Sequence, residues 1–178
     1  MSNWTVNDIP DLSDHIALVT GANSGLGLET TRALATHGAH VIMAARTLDK
    51  GRKAEAEIKQ TVPGASIEVV LLDLASLASV RAFATSVSQT YDRLDLLFNN
   101  AGIMAIPRQE TQESFEMQFG TNHLGHFALT GLLLPKLVAT LGSRVVTTTS
   151  IARIASGIHF DDLQRQRSYT CKYENSMR

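Results

Sequence analysis

An apolar run, Ile16-Ala17-Leu18-Val19, leads straight into Thr20-Gly21-Ala22-Asn23-Ser24-Gly25-Leu26-Gly27, and helical spacing through Leu28, Thr31, Leu34 and Ala35 follows at once. Strand, glycine turn and helix in that order is the context that gives a glycine cluster its meaning. Glycine lets the backbone turn sharply and approach a ligand closely. The helix N-terminus behind it offers free N–H groups and partial positive charge to a phosphate. The spacing is G-x-x-x-G-x-G, not the commoner G-x-G-x-x-G of dinucleotide folds. Glycines also make plain turns, but between a buried strand and a helix the nucleotide reading is the stronger.

The remainder of the chain repeats this alternation. Strands are predicted at Ile16–Thr20, His40–Ala44, Ser66–Leu72, Leu94–Phe98 and Arg144–Thr149. Helices are predicted from Gly25 to His37, Lys50 to Gln60, Ser76 to Tyr91 and Thr111 to Thr140, the last broken near Gly120. Gly38 and Pro63-Gly64 punctuate them. Such alternation, without internal repeats, implies an α/β fold of the Rossmann type. The expected form is a doubly wound parallel sheet of strand order 3-2-1-4-5. Ligands in such sheets bind beyond the carboxyl ends of the strands. Gly21–Gly27, Arg46, Asp73, Asn99–Gly102 and Ser150 all fall at those ends.

One domain is expected over residues 1–178, with 1–14 a lead-in on which Trp4 and Ile9 pack at the domain edge. A 44% hydrophobic, 19% charged composition supplies a soluble core. The net charge of −1, with no basic block, argues against nucleic acid or an anionic membrane. The single cysteine, Cys171, excludes an intrachain disulfide. Met1–Asp14 has neither the cationic start nor the apolar core of a signal peptide, and the apolar stretch Phe127–Leu141 is too broken to span a membrane. A cytoplasmic setting follows as the default.

Taken jointly, several motifs resemble the short-chain dehydrogenase/reductase family, in the branch holding retinol dehydrogenases and protochlorophyllide reductases. They are the glycine turn, Leu72-Asp73-Leu74, Asn99-Asn100-Ala101-Gly102, Asn122-His123-Leu124-Gly125-His126-Phe127 and Thr149-Ser150-Ile151-Ala152. Ile158-His159-Phe160-Asp161-Asp162-Leu163 resembles an insertion of that branch, so the likeness extends to about Tyr169.

The resemblance implies an oxidoreductase that interconverts an alcohol and a carbonyl on an apolar small molecule. Gly21, Asn23, Ser24, Gly25, Leu26, Gly27, Arg46, Asp73, Leu74, Asn99, Ala101 and Gly102 would bind the dinucleotide. Asp73 would accept a hydrogen bond from the adenine amino group, against a plainer use as a turn or cap acid. Asn99–Gly102 would line the adenosine ribose side and steady the sheet centre. At the end of strand two a cofactor without a 2′-phosphate calls for a carboxylate. The chain instead reads Ala44-Ala45-Arg46-Thr47, so NADP(H) is expected over NAD(H). Ser150 would hold the substrate oxygen and Asn122 a water of the proton relay. His123 and His126, without a further acid or cysteine ligand, are not expected to bind metal.

The family also needs a tyrosine as acid/base and, four residues on, a lysine whose charge lowers the tyrosine pKa. Tyr173 is the candidate tyrosine, but Met177 stands in the lysine's place. The preferred reading is a chain ending just short of the true motif. Residues 151–178 are then an incomplete substrate and catalytic region, the last strands of the fold are lacking, and Leu129, Leu132, Leu133 and Leu137 stay uncovered. The full-length parent would be a homo-oligomer. The alternatives are a dinucleotide-binding module without catalysis and a nonfunctional truncated product.

Overall fold

The computed structural model describes residues 4–150, 157–167 and 169. Five parallel strands, β1 (Ile16–Thr20), β2 (His40–Ala45), β3 (Ile67–Leu71), β4 (Leu96–Asn99) and β5 (Arg144–Thr147), form one sheet in the order β3-β2-β1-β4-β5. The order is the one the alternation predicts. Between them run α1 (Gly25–Thr36), α2 (Leu48–Thr61), α3 (Leu77–Thr90) and a broken helix before β5.

Side chains alternate across each strand, and the core divides accordingly. Ala17 and Val19 of β1 and Val41 and Met43 of β2 face Leu34, Ala35, Ala54 and Ile58 of α1 and α2. Leu18, Ile42 and Leu97 face Val80, Phe83 and Val87 of α3 on the other side. Both faces are covered, which is why these strands read as continuous apolar runs rather than alternating ones. The lead-in is tied down by Leu12, which is buried and whose N–H donates to the His37 carbonyl at 2.7 Å. Ile9 packs against the core, but Trp4 is 69% exposed, contrary to expectation, because only Ile9 and Leu12 reach the α1–β2 side.

The helix predicted from Thr111 starts later, at α4 (Met117–Phe119). Thr111 closes a local turn instead: its N–H donates to the Phe115 carbonyl, and its hydroxyl accepts from the Glu113 and Phe115 amides. The N-cap is Glu116, whose carboxylate accepts from Gln118 N–H at 2.9 Å and Phe119 N–H at 2.7 Å. The expected break at Gly120 is real and takes the form of a π-helical turn, Gly120–Leu124, before α5 (Gly125–Ala139). A Cβ on Gly120 would lie 2.4 Å from Thr111 Cγ2, so the backbone there sits directly on the preceding turn.

The expectation for the leucines of α5 is corrected. Leu129, Leu133 and Leu137 recur every four residues and are buried against α3, so that of the four leucines expected to stay uncovered Leu132 alone is substantially exposed, at 45%. Periodicity explains the split: Leu132 and Leu134 fall on either flank of the buried stripe and Val138 on the far side of the same helix.

Candidate functional site

The β1–α1 loop opens on Gly21, whose φ of +64° suits glycine and whose added Cβ would lie 2.9 Å from Ala101 Cα. Gly27 is tighter still. A Cβ there would fall 2.4 Å from the Gly21 carbonyl oxygen and 2.6 Å from Asn100 Nδ2. The glycines therefore bring β1's end, α1's first turn and the segment after β4 into backbone contact. Ser24 caps α1 with its side chain making no cap bond, leaving the first-turn N–H groups facing the loop.

Thr20 is the hub beneath this loop. Its fully buried hydroxyl oxygen accepts from the amides of Asn100 and Ala101, each at 2.9 Å. Asn100 Nδ2 donates to the Thr20 carbonyl at 2.9 Å, and His126 Nε2 lies 2.9 Å from the Thr20 hydroxyl. Above the hub an open cleft of about 440 Å³ runs along the carboxyl ends of the strands.

Of the residues expected to bind cofactor, Gly21, Asn23, Ser24, Leu26, Arg46, Asp73, Leu74, Ala101 and Gly102 line this cleft. Leu26 is 73% exposed, an apolar side chain standing at the mouth. Gly25 and Gly27 shape the loop without lining the cleft. Asn99 turns inward: it is buried, and its Nδ2 donates to Thr130 Oγ1 at 3.0 Å. The neighbouring Asn100 takes the place on the cleft. The split follows from the distant partners, Thr130 for Asn99 and Thr20 for Asn100, which local spacing does not report.

Asp73 serves two roles at once. It lines the cleft, and its Oδ1 accepts from the Ala75 amide at 2.9 Å, the turn bond that its position predicts. Arg46 directly follows β2 and brings a guanidinium to the same side. Thr121 and Thr148 also line the cleft, without any motif that marks them.

Asn122 occupies the π turn, and both ends of its amide are engaged. Oδ1 accepts from the Ile103 amide at 2.9 Å and Nδ2 donates to the Ile103 carbonyl at 2.8 Å. This clasp fixes the chain leaving Gly102, so the side chain positions backbone rather than projecting freely. Ser150 lies three residues beyond the last residue of β5, at the carboxyl end of the sheet, and does not line the cleft. Tyr173 and Met177 lie outside the described residues.

The two histidines of the π turn and α5 diverge. His123 is exposed and stacks between Phe119 and Phe127, with centroids 5.5 and 6.3 Å away. His126 is buried, and burial pushes its imidazole below the ordinary value. The bond to the Asn122 carbonyl opposes that shift and the His123 charge adds to it. Among the described residues no three metal-ligating side chains cluster, and no helix is long and apolar enough to cross a membrane.

Comparison with known proteins agrees with this geometry. The sequence profile described as short chain dehydrogenase matches residues 15–161. Retinol dehydrogenase 13 of Homo sapiens is 46% identical over 156 residues, which are 87% of this chain and 47% of that protein. Among solved structures, an uncharacterised protein from Mycobacterium paratuberculosis superposes with a TM-score of 0.81 at 46% identity. That match covers 94% of this chain and 58% of the other. A metagenomic short-chain oxidoreductase in complex with NADP gives a TM-score of 0.70 at 30% identity, over 80% and 65% of the two chains. This chain thus spans about half the length of the curated relatives it matches. With the glycine turn, the strand-end motifs and the sheet order all in place, the chain belongs to the short-chain dehydrogenase family.

Proposed function

We propose that the protein serves an NADP(H)-dependent oxidoreductase reaction, interconverting an alcohol and a carbonyl on an apolar small molecule. The observation that carries this reading is the cleft itself. The Gly21 backbone, held in place by the close packing of Gly27 beneath it, meets the α1 N-terminus at one wall, and Arg46 stands beside it. A side chain at Gly21 would meet Ala101 and one at Gly27 the Gly21 carbonyl, forcing the loop off the segment after β4, so this close-packed turn at a helix N-terminus fits a dinucleotide diphosphate. Arg46 suits a 2′-phosphate through charge-assisted hydrogen bonds. Asp73 would meet the adenine amino group, while Ala101 and Gly102 would flank the ribose.

A nicotinamide dinucleotide held by these residues would supply the hydride donor or acceptor for the substrate carbon. Ser150 would orient the substrate oxygen by its hydroxyl. Asn122, clasped to Ile103, would hold the π turn on which a relay water rests, and Tyr173 would pass the proton.

A titration of the 178-residue chain with NADPH and NADH, read by nucleotide fluorescence, tests the cofactor step. NADPH should bind more tightly. Arg46→Ala should weaken NADPH by roughly ten- to a hundredfold, the loss of a charged hydrogen bond, and leave NADH nearly unchanged. Absence of dinucleotide binding would sink the reading, and equal affinities would remove the preference for NADP(H).

A second reading is favoured by Met177, which stands four residues after Tyr173 where the family pattern calls for lysine. Without that positive charge the phenolate is less accessible, and the protein would bind a dinucleotide without turnover. Met177→Lys tests Tyr173 in the acid/base role. A gain of NADPH-linked reduction of ketones or aldehydes supports Tyr173 as the acid/base, whereas continued inactivity with intact binding removes Tyr173 from that role.

A further inference from the structure

One buried titratable side chain has no part in the reaction proposed above. His126, in the first turn of α5, is 5% exposed, and both of its ring nitrogens have partners. Nδ1 lies 2.9 Å from the Asn122 carbonyl oxygen. A carbonyl can only accept, so Nδ1 carries a proton. Burial favours the uncharged ring, and the neighbouring His123 disfavours a second positive charge. Nε2 therefore presents a lone pair, and Thr20 Oγ1 sits 2.9 Å from it.

The hydroxyl's own inventory closes the assignment. Thr20 Oγ1 already accepts the Asn100 and Ala101 amides, which use its two acceptor positions. Its single proton has two places to go: His126 Nε2 at 2.9 Å, or the Phe98 carbonyl at 3.2 Å. Only the first satisfies the imidazole lone pair. A directed chain results, from the Asn100 and Ala101 amides to Thr20, from Thr20 to His126, and from His126 to the Asn122 carbonyl. It joins the cleft floor after β4 to the π turn, and hydrogen bonds in such a buried chain strengthen one another.

We propose that His126 is a positioning residue, held as the Nδ1–H tautomer, that ties the π turn carrying Asn122 to the Thr20–Asn100–Ala101 floor of the cleft. The assignment rests on the dinucleotide reading only for its functional consequence. The link itself is a property of the unliganded chain. Losing it would loosen two cleft-lining backbone amides and the turn opposite them together.

The test uses the ¹⁵N-labelled 178-residue chain. Long-range proton–nitrogen correlation spectra should show His126 with a protonated Nδ1 and a lone pair on Nε2. An Nε2–H tautomer overturns the proposal. In His126→Phe, which keeps the ring volume, amide exchange at Asn100 and Ala101 should quicken about tenfold relative to the Val19 amide of β1, the cost of roughly one hydrogen bond. NADPH affinity should fall by a similar factor. His126→Gln, whose amide oxygen can accept from Thr20, should recover most of both. Unchanged exchange at those amides in a folded His126→Phe refutes the link. If that variant does not fold, the wild-type tautomer decides, with Nδ1–H supporting the link and Nε2–H overturning it. Should the wild-type chain bind no NADPH yet show the tautomer and the exchange pattern, the cofactor reading fails and the link stands.

Discussion

Two glycines with the same composition have opposite predicted tolerance to alanine. At Gly27 a methyl group would meet the Gly21 carbonyl oxygen at 2.4 Å and Asn100 Nδ2 at 2.6 Å. The first of these is backbone and cannot swing away. Gly27→Ala should therefore lose about 1–3 kcal/mol of stability to overpacking, despite alanine's better helix propensity. NADPH binding should weaken with it, as read by urea unfolding and fluorescence titration. Gly131, mid-helix in α5, has nothing within 4 Å of an added Cβ. Gly131→Ala should raise stability by about 0.5–1 kcal/mol.

Asp95 carries a pH signature. Burial alone would raise its pKa, but hydrogen bonds from Arg93 and from the Ile16 amide at 2.9 Å outweigh it and hold the carboxyl below its ordinary value. A depressed folded value means the unfolded chain binds the proton more readily as the pH falls. The contribution is thus complete above the unfolded value of about 3.9 and is lost as pH drops through the folded one. Asp95→Asn should cost about 1–3 kcal/mol at pH 7, and the gap to wild type should narrow steadily below about pH 4. A gap that stays constant with pH would contradict this account.

At the level of elements, α5 repays comparison with its sequence. Its leucines look alike in composition, yet Leu129, Leu133 and Leu137 form the stripe packed on α3 while Leu132, Leu134 and Val138 do not. Leu133→Ala should cost about 2–5 kcal/mol, and Leu134→Ala, half-exposed, well under 1. Denaturant midpoints at equal slope would measure both. The helical region starts at Met117 rather than at the expected Thr111. The deciding interactions are the Thr111 turn and the Glu116 cap, which depend on side-chain geometry that spacing does not report. The π turn was anticipated only as a break at Gly120. Its register is set by the contact of Gly120 with Thr111 and of Gly125 with the Leu74 carbonyl, where an added Cβ would lie at 2.5 Å.

For the whole molecule, the described surface retains apolar groups at the outer side of α5 and on the edge strand β5. Phe127 is 72% and Val138 76% exposed, and Val145 and Val146 of β5 are both close to half-exposed. Exposed apolar side chains and, among the described residues, an unpaired edge on β5 both favour association. The chain is expected to self-associate in the micromolar range, as measured by sedimentation velocity over a dilution series. A monomer that persists at all concentrations would refute this.

The linear sequence by itself determined the strand order, the glycine turn and the strand-end location of the site. Period, glycine spacing and the right-handed crossover rule are local properties, and each is written in neighbouring residues. It also carried the family, through motifs that remain contiguous in the chain. Only the tertiary structure decided that Asn100 and not Asn99 faces the cleft, that Asn122 clasps Ile103, and that Thr20 and His126, 106 positions apart, share a hydrogen bond. Those outcomes depend on which way a side chain points once strands pair and helices dock. That direction is fixed by packing between distant segments, and no window of sequence contains both partners.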